Sequence, residues 1–130
     1  MSTLLLDTHA FVWAVSSPER LGSEGRDLIK DPTNQLLVSA ATAWEVATKV
    51  RLGKFPEAEP LVARYQSIVD TLGADELGVE AVHALRAGTM PWDHRDPFDR
   101  MLAAQAMIEG AVLVTRDAAF AGMPGLAVVW

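Results

Sequence analysis

DPFDRMLAAQAMIEGAVLVTRD, residues 96–117, reads as one helix, one strand and a set of acids at their ends. Asp96 stands at a helix cap, Pro97 at the first helical position and Asp99 at the third. An acid can accept the unpaired first-turn amides, and proline fits where no amide is needed, so the three make a strong helix start. The helix should run to about Glu109, with Gly110 placed to end it. Ala111 to Thr115 is then a short apolar run, expected as a buried strand, and Asp117 lies just beyond it.

The same unit recurs along the chain. Thr3 to Leu6 is an apolar run ending at Asp7, and Leu36 to Val38 is another, after which Ser39 can cap a helix reaching about Leu52 before Gly53. Between them Leu21 to Lys30 reads as a helix closed by Pro32 and Asn34. Pro60 to Leu72 reads as one amphipathic helix, with Leu61, Tyr65, Ile68 and Leu72 at helical spacing. Leu77 to Val79 is expected as a strand, Glu80 to Ala87 as a short helix and residues 88–96 as a polar loop. Asp117 to Phe120 forms a helical turn and Leu126 to Val129 a last strand. Short, almost continuous apolar strands alternating with helices predict an α/β fold whose parallel sheet is covered on both faces. No repeat or long linker interrupts residues 1–130, which read as a single domain.

Half of the 130 residues are hydrophobic and 22% are charged, enough to bury a core. The absence of cysteine excludes disulfides, thiolate metal sites and cysteine nucleophiles, and is compatible with a reducing compartment. The apolar start has no basic flank and is interrupted by Asp7 and His9, so neither a signal peptide nor a membrane span is expected. A formal net charge of −6 argues mildly against a nucleic-acid binder, although a carboxylate site offset by bound cations would itself contribute negative charge.

Parallel α/β sheets bind ligands at the carboxyl ends of their strands, which directs attention to four acids. Asp7 and Asp117 follow strands, and Asp99 lies on the first turn of a helix. Glu45 is less than two turns along the helix leaving the same edge, roughly 9 Å at 1.5 Å per residue. Clustered carboxylates repel one another and lose solvation; a hard divalent cation such as Mg²⁺ relieves both and could orient a water toward a phosphate. Each acid also has a plain structural reading. Asp7 and Asp117 can cap the turns that follow them, Asp99 can complete a capping box with Asp96, and Glu45 can sit on a helix surface.

The segments LLLDTHAFVWAV, SAATAWEVATKVRLGKF, HRDPFDRMLAAQAMIEG and LVTRDAAF, with a terminal VVW, resemble PIN-domain toxins of the VapC type over nearly the whole chain. The resemblance implies a three-layer α/β/α PIN-like domain with a mainly parallel sheet. It also implies a Mg²⁺- or Mn²⁺-dependent endoribonuclease in which Asp7, Glu45, Asp99 and Asp117 build the metal site. Asp96 is the cap that orients Asp99, and Thr115 is a hydroxyl that could bond a carboxylate or a water. Hydrolysis would leave a 5′-phosphate and a 3′-hydroxyl. Such proteins are cytoplasmic, dimerise, and are masked by a cognate antitoxin covering the active groove, so RNA, an antitoxin and a second copy are the implied partners. Arg51, Lys54, Arg95, Arg100 and Arg116 are candidates for phosphate contacts, although Arg100 could equally pair with Asp96.

Other signals are weaker. His9 and His94 lack paired zinc-ligand spacing and are better placed to position RNA than to hold metal. Trp13 and Trp44 read as core, whereas Trp92 in the polar loop could lie near substrate. A receiver domain would want an acidic pair before its aspartate, and a haloacid-dehalogenase-type phosphatase a second aspartate where His9 stands. The remaining alternative is a catalytically silent PIN-like domain that binds RNA or protein.

Overall fold

Leu4, Leu5 and Leu6 are wholly buried, and their alternating side chains explain the layering of the molecule. In a computed structural model describing residues 1–130, they form strand β1 (Thr3–Leu6) at the centre of a five-stranded sheet. Leu4 and Leu6 face one apolar core, and Leu5 faces the other. Each such leucine contributes about 2 kcal/mol by leaving water. β1 pairs in parallel with β2 (Gln35–Ser39) on one side and with β4 (Val112–Val114) on the other. The edges are β3 (Ala74–Leu77) beside β2 and β5 (Val128–Val129) beside β4, again parallel. The expected mainly parallel sheet is thus parallel at every pairing.

Helices cover both faces. α1 (Thr8–Ser16), α2 (Ser23–Lys30), α3 (Ala40–Arg51), α4 (Glu59–Ala63) and α5 (Tyr65–Leu72) supply Phe11, Val12, Val46, Leu61 and Val69 to the first core and pack partly buried Leu28 and Ile29 against it. α6 (Ala81–Thr89) and α7 (Pro97–Glu109) close the second with Ala87, Leu102, Ala103 and Ala106. The result is the three-layer α/β/α domain. No helix is long and apolar enough to cross a membrane.

Two expectations are corrected. The single helix over Pro60 to Leu72 is divided at Arg64, whose φ of −129° and ψ of 32° leave the helical region between α4 and α5. The strand expected at Leu77 to Val79 lies instead at Ala74–Leu77, where Asp75 and Glu76 occupy exposed positions of an edge strand. Pairing with β2 defines that strand, and charge on an edge discourages further pairing.

The chain leaves β1 for β2 on one side and reaches β4 on the other, so strand order reverses between β1 and β4. Crevices form at such a switch point. Asp7 and Asp117 follow those two strands.

Candidate active site

Local capping chemistry fixes three of the acids. Asp7 caps α1, its Oδ1 accepting from the Ala10 amide at 2.8 Å. Asp117 caps the short turn Ala118–Gly122, its Oδ1 accepting from the Ala119 amide at 2.9 Å. Asp96 caps α7 by accepting from the amides of Phe98 (2.8 Å) and Asp99 (3.2 Å). Capping therefore coexists with a place in the site, because each capping carboxylate also lines the cleft. Thr115 ties the two strand-end acids together. Its hydroxyl accepts from the Asp117 amide at 3.0 Å and favours the charged form of Asp7.

Glu45 and Asp99 are held by side chains. Thr8 donates its hydroxyl to Glu45 Oε1 at 2.5 Å, and Lys49 Nζ meets Oε2 at 2.5 Å. Glu45 is 4% exposed, so the surface reading fails. Asp99 Oδ2 lies 2.7 Å from His94 Nε2 and does not complete a capping box with Asp96. All four acids, with Asp96, Lys49 and Arg116, line one polar cleft of about 310 Å³.

Burial dominates the electrostatics. It raises the pKa of Asp7; the Thr115 hydroxyl, the Ala10 amide and His9 pull the other way, and Glu45 adds to the rise. Burial also pushes Asp99 up to about 6, against the His94 hydrogen bond and with help from the charges of Asp96 and Glu45. Burial alone would lower Lys49, but Glu45, Asp96 and Asp99 outweigh it and raise its pKa. Carboxylates that resist ionisation in one crevice are a marker of functional sites.

An all-oxygen donor set suits a hard dication. As the side chains stand, however, no three histidine or acidic residues converge closely enough to hold an ion by themselves. Mg²⁺ commonly binds through one or two carboxylates and retains several waters, so the donor set fits a hydrated ion bridged to the acids.

Other sequence candidates separate cleanly. Of the five basic residues expected near phosphate, only Arg116 lines the cleft. Arg100 is turned inward. It donates to the carbonyls of Ala87 (2.8 Å), Met90 (2.6 Å), Trp92 (2.7 Å) and His94 (3.0 Å), which excludes both a phosphate contact and the Asp96 pairing in this arrangement. Trp44 is 64% exposed, not core, and packs edge-on against Phe98. Trp13 is buried as expected, and Trp92 packs against His94 and Phe120. His9 and Trp13 also line the cleft. The sequence reading did not single out Thr8 or Lys49. Lys49 had a usable signal, because it stands four residues after Glu45, the favourable spacing for a helical ion pair.

The family profile of the PIN domain matches residues 4–126. Among curated proteins, Ribonuclease VapC16 of Mycobacterium tuberculosis is 38% identical over 61 residues, 47% of this chain and 43% of that protein. Ribonuclease VapC22 of the same organism is 29% identical over 118 residues, 90% of this chain and 88% of that protein. The chain therefore aligns with less than half the length of the first of these relatives and with most of the second. Among solved structures, VapBC2 from Rickettsia felis, bound to a DNA fragment from its promoter, superposes with a TM-score of 0.65 at 18% identity, covering 98% of both chains. A toxin–antitoxin complex from Klebsiella pneumoniae gives 0.66 at 20% identity, covering 98% of this chain and 96% of that one. At such identities the likeness is one of fold. The resemblance to VapC-type proteins that the motifs carried is thereby borne out.

Proposed function

Because the chain belongs to the PIN-domain family, we propose that it is a Mg²⁺- or Mn²⁺-dependent endoribonuclease, the toxin of a toxin–antitoxin pair, acting through Asp7, Glu45, Asp99 and Asp117. The observation that carries this reading is the gathering of those four acids, distant in sequence, around one crevice at the sheet's switch point. The names of the two curated ribonucleases support it.

Asp7, Asp99 and Asp117 would hold the ion directly or through water, with Glu45 completing the set or orienting the attacking water. When bound, the ion supplies Lewis acidity that makes a water nucleophilic at neutral pH and offsets charge on the phosphate. The protein positions these groups. Thr115 and the two caps fix the strand-end acids, Thr8 and Lys49 fix Glu45, and Asp96 and His94 fix Asp99. With water attacking phosphorus and the 3′-oxygen departing, the products would be a 5′-phosphate and a 3′-hydroxyl, and cleavage should survive removal of the 2′-hydroxyl at the scissile position.

A cognate antitoxin would cover the carboxylate cleft, and exposed Val82 and Leu85 on α6 offer apolar contacts to a second copy. The cytoplasm is where such a ribonuclease would meet its RNA.

The test is cleavage of a mixed, structured RNA pool by the purified chain with Mg²⁺, Mn²⁺ or chelator, beside Asp7→Asn. Cutting that needs both the metal and Asp7 supports the enzyme. The second reading, a silent RNA- or protein-binding domain, draws on the spacing of the acids, too wide for a dry metal site. It prevails if neither cutting nor metal binding is found.

A further inference from the structure

Five carboxylates line the cleft and would repel a phosphodiester approaching it, while Lys49, one of the two long basic side chains there, is tied to Glu45. The other is Arg116. Its guanidinium carbon lies 4.9 Å from the centroid of the Trp13 ring, and that of Arg20 lies 4.4 Å from the same centroid. Arg20 ends the turn Pro18–Arg20 after α1, so two distant segments bring like charges to one indole. Neither arginine has an acidic partner, and no other arginine in the chain is stacked on an aromatic ring. Trp13 is itself immobilised, 5% exposed and in edge contact with Trp130, and it lines the cleft.

Stacking on an indole favours a guanidinium electrostatically and restricts its motion, yet leaves its in-plane N–H donors available. That planar fork matches the oxygens of a phosphate. Neither guanidinium is held in an ion pair, so both remain open to an anion. The position beside acids suited to a phosphate-bridging cation selects a nucleic-acid backbone over an acidic peptide.

We propose that Arg20 and Arg116, mounted on Trp13, form a phosphodiester-binding clamp at the rim of the carboxylate cleft, holding the RNA strand beside the position to be cut. The identity of the strand rests on the ribonuclease reading; the anion site rests on the arginine geometry.

The experiment titrates the full chain in chelator with a labelled oligoribonucleotide of about a dozen nucleotides across a salt series. Arg20→Gln, Arg116→Gln and Arg20→Lys are measured alongside, with thermal melting of each. Each glutamine variant should weaken binding and reduce the slope of log affinity against log salt by about 0.7. Arg20→Lys should keep the slope. With Mg²⁺ present, Arg20→Gln should raise KM and spare kcat. No binding by the unaltered chain overturns the clamp. So do unchanged affinity and slope with a lowered Tm, which would make the arginines a roof over Trp13. If polyglutamate, titrated in parallel, binds the unaltered chain and loses affinity in the glutamine variants while their RNA affinity stays intact, the clamp is overturned in favour of a protein partner. Arginine-dependent RNA binding by a chain that neither cuts RNA nor binds either metal upholds the clamp and removes the ribonuclease.

Discussion

Thr8, the residue immediately after Asp7, donates its hydroxyl to Glu45 Oε1 at 2.5 Å, linking the first turn of α1 to the middle of α3. One hydrogen bond thus sets the spacing of two acids on helices that leave the same sheet edge. Glu45 is buried, and a buried carboxylate oxygen is costly without a donor. Thr8→Val keeps the shape and removes that donor. It should cost about 1–3 kcal/mol in urea unfolding and lower kcat, whereas Thr8→Ser should recover both. Full activity in Thr8→Val would show that Glu45 needs no such positioning.

Asp99 ties stability to pH. Its pKa is raised from 3.8 to about 6, chiefly by burial, so the folded chain holds the proton more tightly than the unfolded one. A raised acid favours the fold while protonated, and the advantage is lost as pH climbs from about 4 through about 6. Without metal, the contribution of Asp99 should therefore fall across that window, by about 1–2 kcal/mol after solvent screening is allowed for. Asp99→Asn should flatten this part of the stability curve and raise Tm in chelator at neutral pH. A Tm in chelator that Asp99→Asn lowers would contradict the cost assigned to burial.

Protons and metal should compete for the same oxygens. Asp7 and Asp99 are both raised by burial, and a ligand carboxylate must lose its proton to bind. Calorimetry should find Mn²⁺ or Mg²⁺ affinity weakening as pH drops below about 6, with proton release on binding. Affinity flat between pH 7 and 5 would place the ion elsewhere.

Local chemistry made much of this site readable. Asp7, Asp96 and Asp117 announced themselves because a helix start needs an acceptor whatever surrounds it, and the buried strands did so as unbroken apolar runs. Non-local geometry was hidden. The spacing of Leu61, Tyr65, Ile68 and Leu72 continues straight through the break at Arg64, since a hydrophobic period records the buried face and not the continuity of the backbone. β3 carries Asp75 and Glu76 because it is an edge strand, and only its register with β2 identifies it. Trp44 follows the apolar pattern of α3 yet stands 64% exposed, and the bond from Thr8 to Glu45 spans 37 positions that no spacing rule connects.

Arg100 gives the sharpest contrast between a basic residue near RNA and one that builds the site. Its guanidinium gathers four carbonyls, those of residues 87, 90, 92 and 94, at 2.6–3.0 Å, and so fixes the loop that presents His94 to Asp99. Lysine keeps the charge but offers a single nitrogen where the fork spans several acceptors. Arg100→Lys should therefore cost about 2–4 kcal/mol and weaken metal binding, although residue 100 lies outside the cleft lining. The salt dependence of RNA affinity should be unchanged, because no phosphate contact is removed. Arg95→Gln, on the same loop but exposed, should leave stability and metal affinity as they were. If Arg100→Lys instead spares stability and metal affinity, the loop is held by its aromatic packing alone, Trp92 and His94 against Phe120, and Arg100 returns to the residues available for substrate.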